Sequence, residues 1–263
     1  KFTLPYSLFN GVDYGNLGNL QENKLKYDPS KGLNVQATSQ GQVPSLGDYL
    51  GIYQTLPNGQ KIYQAVDNYQ DAAADQAKVD QLKFNWLEYY KLKFKADWYT
   101  KVAGTPQKAL VLRALGEFGY LGAYNGARGV VPFERFFLGG DGLANFALDG
   151  REVVQLRGYP NQSLSSTDGG TTYNKFTLEL RYPLTLKAAA SIYALTFLEA
   201  GSSFDSFKDY NPFVLQRSAG FGLRVFMPAF GLLGIDFGHG FDPVPGGTQK
   251  NGWETHFIIG QQF

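Results

Sequence analysis

Arg157, Gly158 and Tyr159 are the residues of this 263-residue chain whose types and spacing could do the most specific chemistry. They lie in segment 154–160, which reads Val-Gln-Leu-Arg-Gly-Tyr-Pro. A guanidinium is planar and offers several fixed donors, so it suits recognition of carboxylates. Glycine allows a tight turn or a close approach to a wall, and tyrosine packs its ring while keeping a polar end. The segment therefore predicts the binding tip of a loop.

No catalytic arrangement accompanies this tip. The chain has no cysteine, which excludes disulfides, thiolate metal sites and cysteine catalysis. Its two histidines, His239 and His256, have no partner at a metal-ligand spacing. Segment 139–142, Gly-Gly-Asp-Gly, lacks the following helix and Lys-Ser/Thr of a phosphate loop. We therefore expect a protein that is not an enzyme and that uses no metal and no cofactor.

Composition indicates twisted β-structure. Aromatic residues make up 16% of the chain and charged residues 18%, and there are 32 glycines. The formal charge of +1 gives no electrostatic reason to bind nucleic acid. No apolar run reaches the roughly 20 residues of a membrane-spanning helix. A spanning β-strand needs only about 9–11 residues and hides its hydrophobicity in alternation, so a membrane location stays open.

Alternation of polarity is the main signal along the chain. In segment 175–184, the even positions from Phe176 to Leu184 are apolar, whereas Lys175, Thr177, Glu179 and Arg181 point the opposite way. Similar alternation predicts strands over 82–98, 109–121, 191–201, 217–227, 233–241 and 253–263, and residues 2–8 suggest an opening strand. We also expect a short surface helix over 71–78. The pattern predicts an all-β fold of about eight antiparallel strands.

Two architectures fit these strands, a soluble β-sandwich and a transmembrane β-barrel. Aromatic residues recur near the strand ends, and the polar face of most strands carries charge, which favours a barrel with a wet lumen. Connections also alternate between long and short. The long ones are 10–81, 122–174, 202–216 and 242–252, and the short ones are 99–108, 185–190 and 228–231. Outer-membrane barrels alternate long extracellular loops with short periplasmic turns, so the lengths favour the barrel as well.

Four segments carry a resemblance to a known family. They are 132–140 (Pro-Phe-Glu-Arg-Phe-Phe-Leu-Gly-Gly), 156–159 (Leu-Arg-Gly-Tyr), 218–228 (Ser-Ala-Gly-Phe-Gly-Leu-Arg-Val-Phe-Met-Pro) and 256–263 (His-Phe-Ile-Ile-Gly-Gln-Gln-Phe). Nearly all of 82–263 resembles the C-terminal half of the barrel of BamA-type outer-membrane protein assembly factors, in a Bacteroidota-like version, within the BamA/TamA superfamily. The resemblance implies that residues 1–263 are about eight strands of a sixteen-stranded barrel preceded by POTRA domains, with coding sequence upstream of Lys1.

The resemblance also assigns roles to residues. Segment 10–81 would be a long extracellular loop, and 122–174 a loop that enters the barrel lumen. There Arg157, with Gly158 and Tyr159, would contact acidic residues of the wall, which by strand position are Glu179 and Glu199. Glu179 lies on the polar face of its strand, which supports this independently. The terminal strand would form a lateral seam and β-signal; its residues are Phe257, Ile259, Gly260 and Phe263.

The function implied is insertion of client β-barrels into the outer membrane through the lateral seam, without ATP or a cofactor. The implied location is the outer membrane of a Gram-negative cell. The partners would be outer-membrane lipid, client outer-membrane proteins and accessory lipoproteins of an assembly complex. Two alternatives stay open. One is a related transporter, either a two-partner secretion pore or a TamA-like factor, and the other is a self-contained eight-stranded structural barrel.

Overall fold

A computed structural model describes residues 1–38, 41–105, 108–142, 151–187, 190–228 and 231–260. The chain divides into two compact units. The N-terminal unit comprises Thr3–Glu88 and Ala123–Gly129, and the strand unit comprises Lys1–Phe2, Tyr89–Gly122 and Val130–Phe263.

The N-terminal unit holds a small sheet and one short helix. Its sheet has the order β1-β3-β2, with β1 parallel to β3 and β2 antiparallel to it. The Asp75 side chain accepts a hydrogen bond from the Lys78 amide and thereby caps the helix, which buries Val79. The elements are β1 (Asn34–Val35), β2 (Tyr49–Thr55), β3 (Lys61–Val66) and α1 (Gln76–Lys83).

The strand unit is built on a seven-stranded antiparallel sheet and a two-stranded parallel pair. Consecutive strands of the large sheet are neighbours, in the order β12-β11-β10-β9-β8-β5-β4, and the pair β6-β7 belongs to the connection between β5 and β8. The strands are β4 (Tyr90–Thr105), β5 (Lys108–Gly122), β6 (Phe136–Leu138), β7 (Glu152–Val154), β8 (Thr172–Leu186), β9 (Ser191–Phe204), β10 (Gln216–Met227), β11 (Gly231–Gly240) and β12 (Gly252–Gly260).

The large sheet exposes its apolar face and buries its charged one. On β8, Phe176 is 47% exposed and Leu178 46%, whereas Thr177 and Glu179 are buried. The same inversion continues on the neighbouring strands, where Leu198, Phe221 and Phe257 are exposed. Exposed apolar area costs free energy in water and costs none in lipid. A soluble sandwich would bury that face, so the sheet is part of the wall of a transmembrane antiparallel β-barrel.

Within the described residues, no helix is both long enough and apolar enough to span a bilayer.

Two expected strands at the start of the chain differ from the structure. The strand predicted over 82–98 begins only at Tyr90, because residues 76–83 form α1 instead. The helix expected over 71–78 lies later, where the Asp75 cap can satisfy the first free amides. The opening strand predicted over 2–8 is reduced to one bridge between Phe2 and Tyr90, and Tyr6–Leu8 forms a 3-10 turn after Pro5. Proline has no amide hydrogen to donate to a ladder.

Candidate functional site

Arg157 lies at the centre of a buried cluster of carboxylates. Its Nη2 donates to Glu179 Oε1 and to Glu199 Oε1, each at 2.7 Å. The Arg157 amide donates to Glu199 Oε2 at 2.7 Å, so Glu199 receives both the main chain and the side chain of the tip. The structure therefore brings together the three residues that the sequence and the resemblance had connected.

A third carboxylate was missed by the sequence analysis. Arg157 Nη1 donates to Asp236 Oδ2 at 3.1 Å, and Asp236 is itself held by Arg224 at 2.5 and 2.6 Å. The alternation over 233–241 puts Asp236 on the polar face of β11, but parity alone does not connect it with the tip. Pairing of Asp236 with Gly222 of β10 and with His256 of β12 places this acid within the network.

An aromatic ring completes the arginine site. The guanidinium carbon of Arg157 lies 3.7 Å from the centre of the Phe197 ring, which is buried on β9. Such a position over a ring face is a cation–π contact. Leu195 and Phe197 share the inward face of β9 with Glu199 and are buried, so this strand carries apolar residues on both faces. An aromatic residue and a charged residue on the same face of a strand, Phe197 and Glu199, were thus the signal in the sequence that a buried arginine contacts this face.

Arg157 keeps its charge although its side chain is buried. The Arg157 side chain is 2% exposed, and its pKa is raised, because burial lowers it less than the charges of Glu199, Glu179 and Asp236 raise it. Lys175 Nζ adds a further positive charge 3.6 Å from Glu199. The three acids are therefore compensated by Arg157 together with cations of the wall.

Gly158 lets the backbone lie against the glycine-rich end of β11. Its φ is +86°, and a Cβ here would lie 2.8 Å from the Ser218 Cβ and 3.1 Å from the Gly240 nitrogen. The facing residue of β11 must also lack a side chain, since a Cβ at Gly238 would lie 2.6 Å from the Gly158 nitrogen. The Gly158 amide donates to His256 Nε2 at 2.8 Å, and its carbonyl accepts from Asn251 at 2.9 Å.

Tyr159 fixes the third residue of the tip. It is fully buried, and its hydroxyl donates to the Arg217 carbonyl at 2.8 Å and accepts from the Asp242 amide at 3.3 Å. Burial raises the pKa of Tyr159 to about 12, so the hydroxyl keeps its proton and can donate at neutral pH. The tip thereby contacts residues from β8 through β12 and the β11–β12 connection.

The base of the loop is tied to the opposite end of the sheet. Gly140 and Leu156 exchange backbone hydrogen bonds, which joins segment 132–140 directly to the tip. Lys91 of β4 lies 2.7 Å from Glu152 and 3.0 Å from Glu134, and Lys93 lies 2.5 Å from Glu152. Two lysines of β4 therefore have their partners on the loop.

We expect low pH to loosen the contact between the base of the loop and β4. Burial raises the pKa of Glu152, but hydrogen bonds from Lys91 and Lys93 and their charges lower it more, so it lies below the ordinary value near 4.3. A lowered folded pKa gives stability that is present above the unfolded pKa and is lost as pH falls through the folded one. Glu152→Gln should therefore cost about 2 kcal/mol of unfolding free energy at pH 7, measured by urea titration in lipid vesicles.

The same comparison at low pH tests the mechanism. The difference between wild type and Glu152→Gln should shrink steadily below pH 4.3, where the wild-type carboxyl also takes up a proton. Asp168→Asn is the matched control, because Asp168 is an exposed acid of the same connection. A pH-independent difference for Glu152→Gln would contradict the ion-pair explanation.

The predicted seam residues lie on the edge strand β12. Phe257 and Ile259 point outwards on the apolar face and are exposed. No heavy atom lies within 4 Å of a Cβ built on Gly260, so this glycine is not needed for packing among the described residues. Phe263 lies outside the described residues. His256 points inwards on the same strand, where it accepts the Gly158 amide.

In the part of the chain that the structure describes, no group of three or more His, Cys, Asp or Glu could hold a metal ion. His239, the other histidine, packs against the Phe241 and Trp253 rings.

Comparison with known proteins agrees with the arrangement of sheet and loop. The family model described as the Omp85 superfamily domain matches residues 16–263. No curated protein matches the chain. Proteins of this superfamily are outer-membrane β-barrels that insert or transport proteins, and the inverted sheet fits that location. The chain belongs to the Omp85 superfamily.

Proposed function

We propose that the chain is the C-terminal part of a BamA-type insertase, of Bacteroidota-like sequence, that folds client β-barrels into the outer membrane. The observation that carries the proposal is that the loop tip supports the last strand of the sheet. Arg157 ties the tip to β8, β9 and β11, and the Gly158 amide donates to His256 of β12, one of the two edge strands of the described sheet.

An edge strand is a template for another strand. Its unpaired amides and carbonyls can pair with the terminal strand of a client by β-augmentation, which needs no ATP and no cofactor. The exposed Phe257 and Ile259 would place the new strand with its apolar side towards lipid. Client outer-membrane proteins and outer-membrane lipid are therefore the proposed partners, and accessory lipoproteins of an assembly complex are proposed from the family resemblance.

The loop tip gives this edge a fixed support. His256 of β12 and Asn251 just before it both bind the Gly158 backbone, and Tyr159 binds at the start of β10. In this proposal the tip holds the last three strands in register while the outer edge of β12 exchanges partners. The long segment 10–81 would lie on the extracellular side, and 122–174 would enter the lumen.

Site-specific photo-crosslinking tests the proposal. A photoreactive residue is placed at Phe257 or at Leu198, which are 56% and 58% exposed on the same apolar face. Phe257 belongs to the edge strand and Leu198 to the central strand β9. In vesicles that hold the full-length protein, an unfolded outer-membrane client should cross-link at Phe257, and the yield should fall when irradiation is delayed until the client has folded, whereas Leu198 should give background.

Two results would reject the insertase. One is equal cross-linking at Phe257 and Leu198, and the other is client folding no faster than in empty vesicles. A transporter of the same superfamily would cross-link its passenger from the lumen, for example at Lys95 of β4, whose side chain is 59% exposed on the charged face. That outcome would favour a two-partner secretion pore.

A further inference from the structure

The apolar outer face of the sheet ends at a defined level. On β8 the outward residue Phe176 is exposed, whereas the next outward residue, Asn174, is 1% exposed. Connection 205–215 between β9 and β10 covers this level from outside: Asn174 donates to the Pro212 carbonyl at 3.4 Å, and the Ser202 hydroxyl donates to the Val214 carbonyl. The outer face thus changes from exposed apolar side chains to polar side chains covered by the connection within two residues of a strand, about 7 Å.

The covering connection is itself rich in exposed aromatic side chains. Phe207 and Tyr210 pack against Tyr120 and Phe118 of β5, with ring centres 5.0 and 5.6 Å apart. Phe213 is 88% exposed. Aromatic residues in such a position are typical of the interface between lipid chains and headgroups. The level of Asn174 therefore marks the boundary of the membrane on the long-loop side.

A groove opens on the outer face directly below this boundary. Its floor is Ala200 of β9, which lies in register between Phe176 of β8 and Arg217 of β10. Phe176 forms one wall and Phe241 the other, and Leu178 and Leu198 continue the apolar lining downwards. The cavity measures about 370 Å³, which lies within the usual range for a small-molecule site.

One cation lies at the boundary end of the groove. The Arg217 side chain is 65% exposed, and its Nε and Nη2 donate to Asp242 at 3.0 and 2.8 Å. A guanidinium has five N–H donors, so pairing with Asp242 leaves donors for a second anion. Asp242 also competes with that anion, since it carries the opposite charge to Arg217.

We propose that this groove binds an anionic membrane lipid, with one acyl chain against Ala200 and the phosphate at Arg217. The apolar lining lies on the membrane side and the guanidinium on the headgroup side, which is the order in a lipid molecule. The groove lies on the lipid-facing side of the sheet, whereas the Arg157 side chain and its acidic partners lie on the inward side, from which Tyr159 contacts the main chain of Arg217 and Asp242. The groove does not include β12, so the proposal does not depend on the proposed insertase function.

Native mass spectrometry of the full-length protein in detergent tests the site. The probes are dioleoyl phosphatidylglycerol, which is anionic, and dioleoyl phosphatidylcholine, which is zwitterionic. Ala200→Phe should fill the groove and remove the bound phosphatidylglycerol. Ala194→Phe is the matched control, because Ala194 has the same outward parity on β9 but lies outside the groove, and it should leave binding unchanged.

Two charge variants test the headgroup contact. Arg217→Gln should weaken phosphatidylglycerol binding about tenfold, the equivalent of one charge-assisted contact, and abolish the preference over phosphatidylcholine. Asp242→Asn should strengthen binding, because the competing carboxylate becomes neutral. Unchanged binding in Ala200→Phe, equal loss in Ala194→Phe, or equal affinity of the wild type for both lipids would overturn the proposal.

Discussion

Replacing Arg157 with alanine is expected to lower the free energy of unfolding by about 3–5 kcal/mol, the cost of breaking a buried ion pair from one side. The variant leaves Glu179, Glu199 and Asp236 without their shared cation in a buried space. It also empties the position over the Phe197 ring. Urea titration in lipid vesicles measures the loss, and client folding in the same vesicles should slow in parallel.

A double-mutant cycle separates the ion pair from lost packing. If Arg157 and Glu179 interact directly, the effects of Arg157→Ala and Glu179→Gln should fall short of additivity by about 1 kcal/mol or more. Arg217→Ala is the control, because this arginine is exposed and pairs with Asp242 at the surface, where water and salt screen the ion pair. Strict additivity of Arg157 and Glu179 would refute the pairing.

Gly158→Val should be the second most damaging change, at about 3 kcal/mol of unfolding free energy. A left-handed backbone costs a residue with a Cβ roughly 1–2 kcal/mol, and overpacking adds about 1–3 kcal/mol. The added Cβ would meet Ser218 and the β11 backbone within about 3 Å. The tip would have to withdraw, which breaks the bonds from Gly158 to His256 and Asn251. Urea titration and protease sensitivity of the connection measure the effect.

Gly246→Val is the control that separates the steric contact of Gly158 with β11 from the cost of its left-handed backbone. Gly246 has a φ of +80°, almost the same as Gly158, but no heavy atom lies within 4 Å of a Cβ built there. It should therefore lose only the backbone part, about 1–2 kcal/mol, and should leave protease sensitivity of the tip unchanged. Equal losses in both variants would mean that the close approach of Gly158 to β11 contributes nothing.

Both predictions concern the same structural role. Arg157 supplies the charge that three strands of the wall share, and Gly158 supplies the bare backbone that lets this charge reach them. Arginine without the glycine would be held too far from β11, and glycine without the arginine would leave the three acids with only the cations of the wall. We therefore expect the two variants to be non-additive when they are combined.

Period-two alternation made much of the fold predictable. Lipid outside and charge inside impose opposite polarities on successive residues, so 109–121, 175–184 and 217–227 were identified as strands from their residues alone. Residues 2–8 and 82–89 were exceptions: they share the alternation but do not form strands, because local features such as Pro5 and the Asp75 cap of α1 act there.

The sequence by itself determined which residues share a face, including Glu179 on the polar face of its strand, and the family resemblance connected Arg157 with Glu179 and Glu199. Only the tertiary structure decided which acids and rings meet the tip. Asp236, His256 and Phe197 have the same inward parity as other residues of their strands. Parity says which face a residue lies on but not its height, that is, its position along the barrel axis. Height depends on the register across five strands and on the path of a long loop, which are set by packing between residues far apart in sequence.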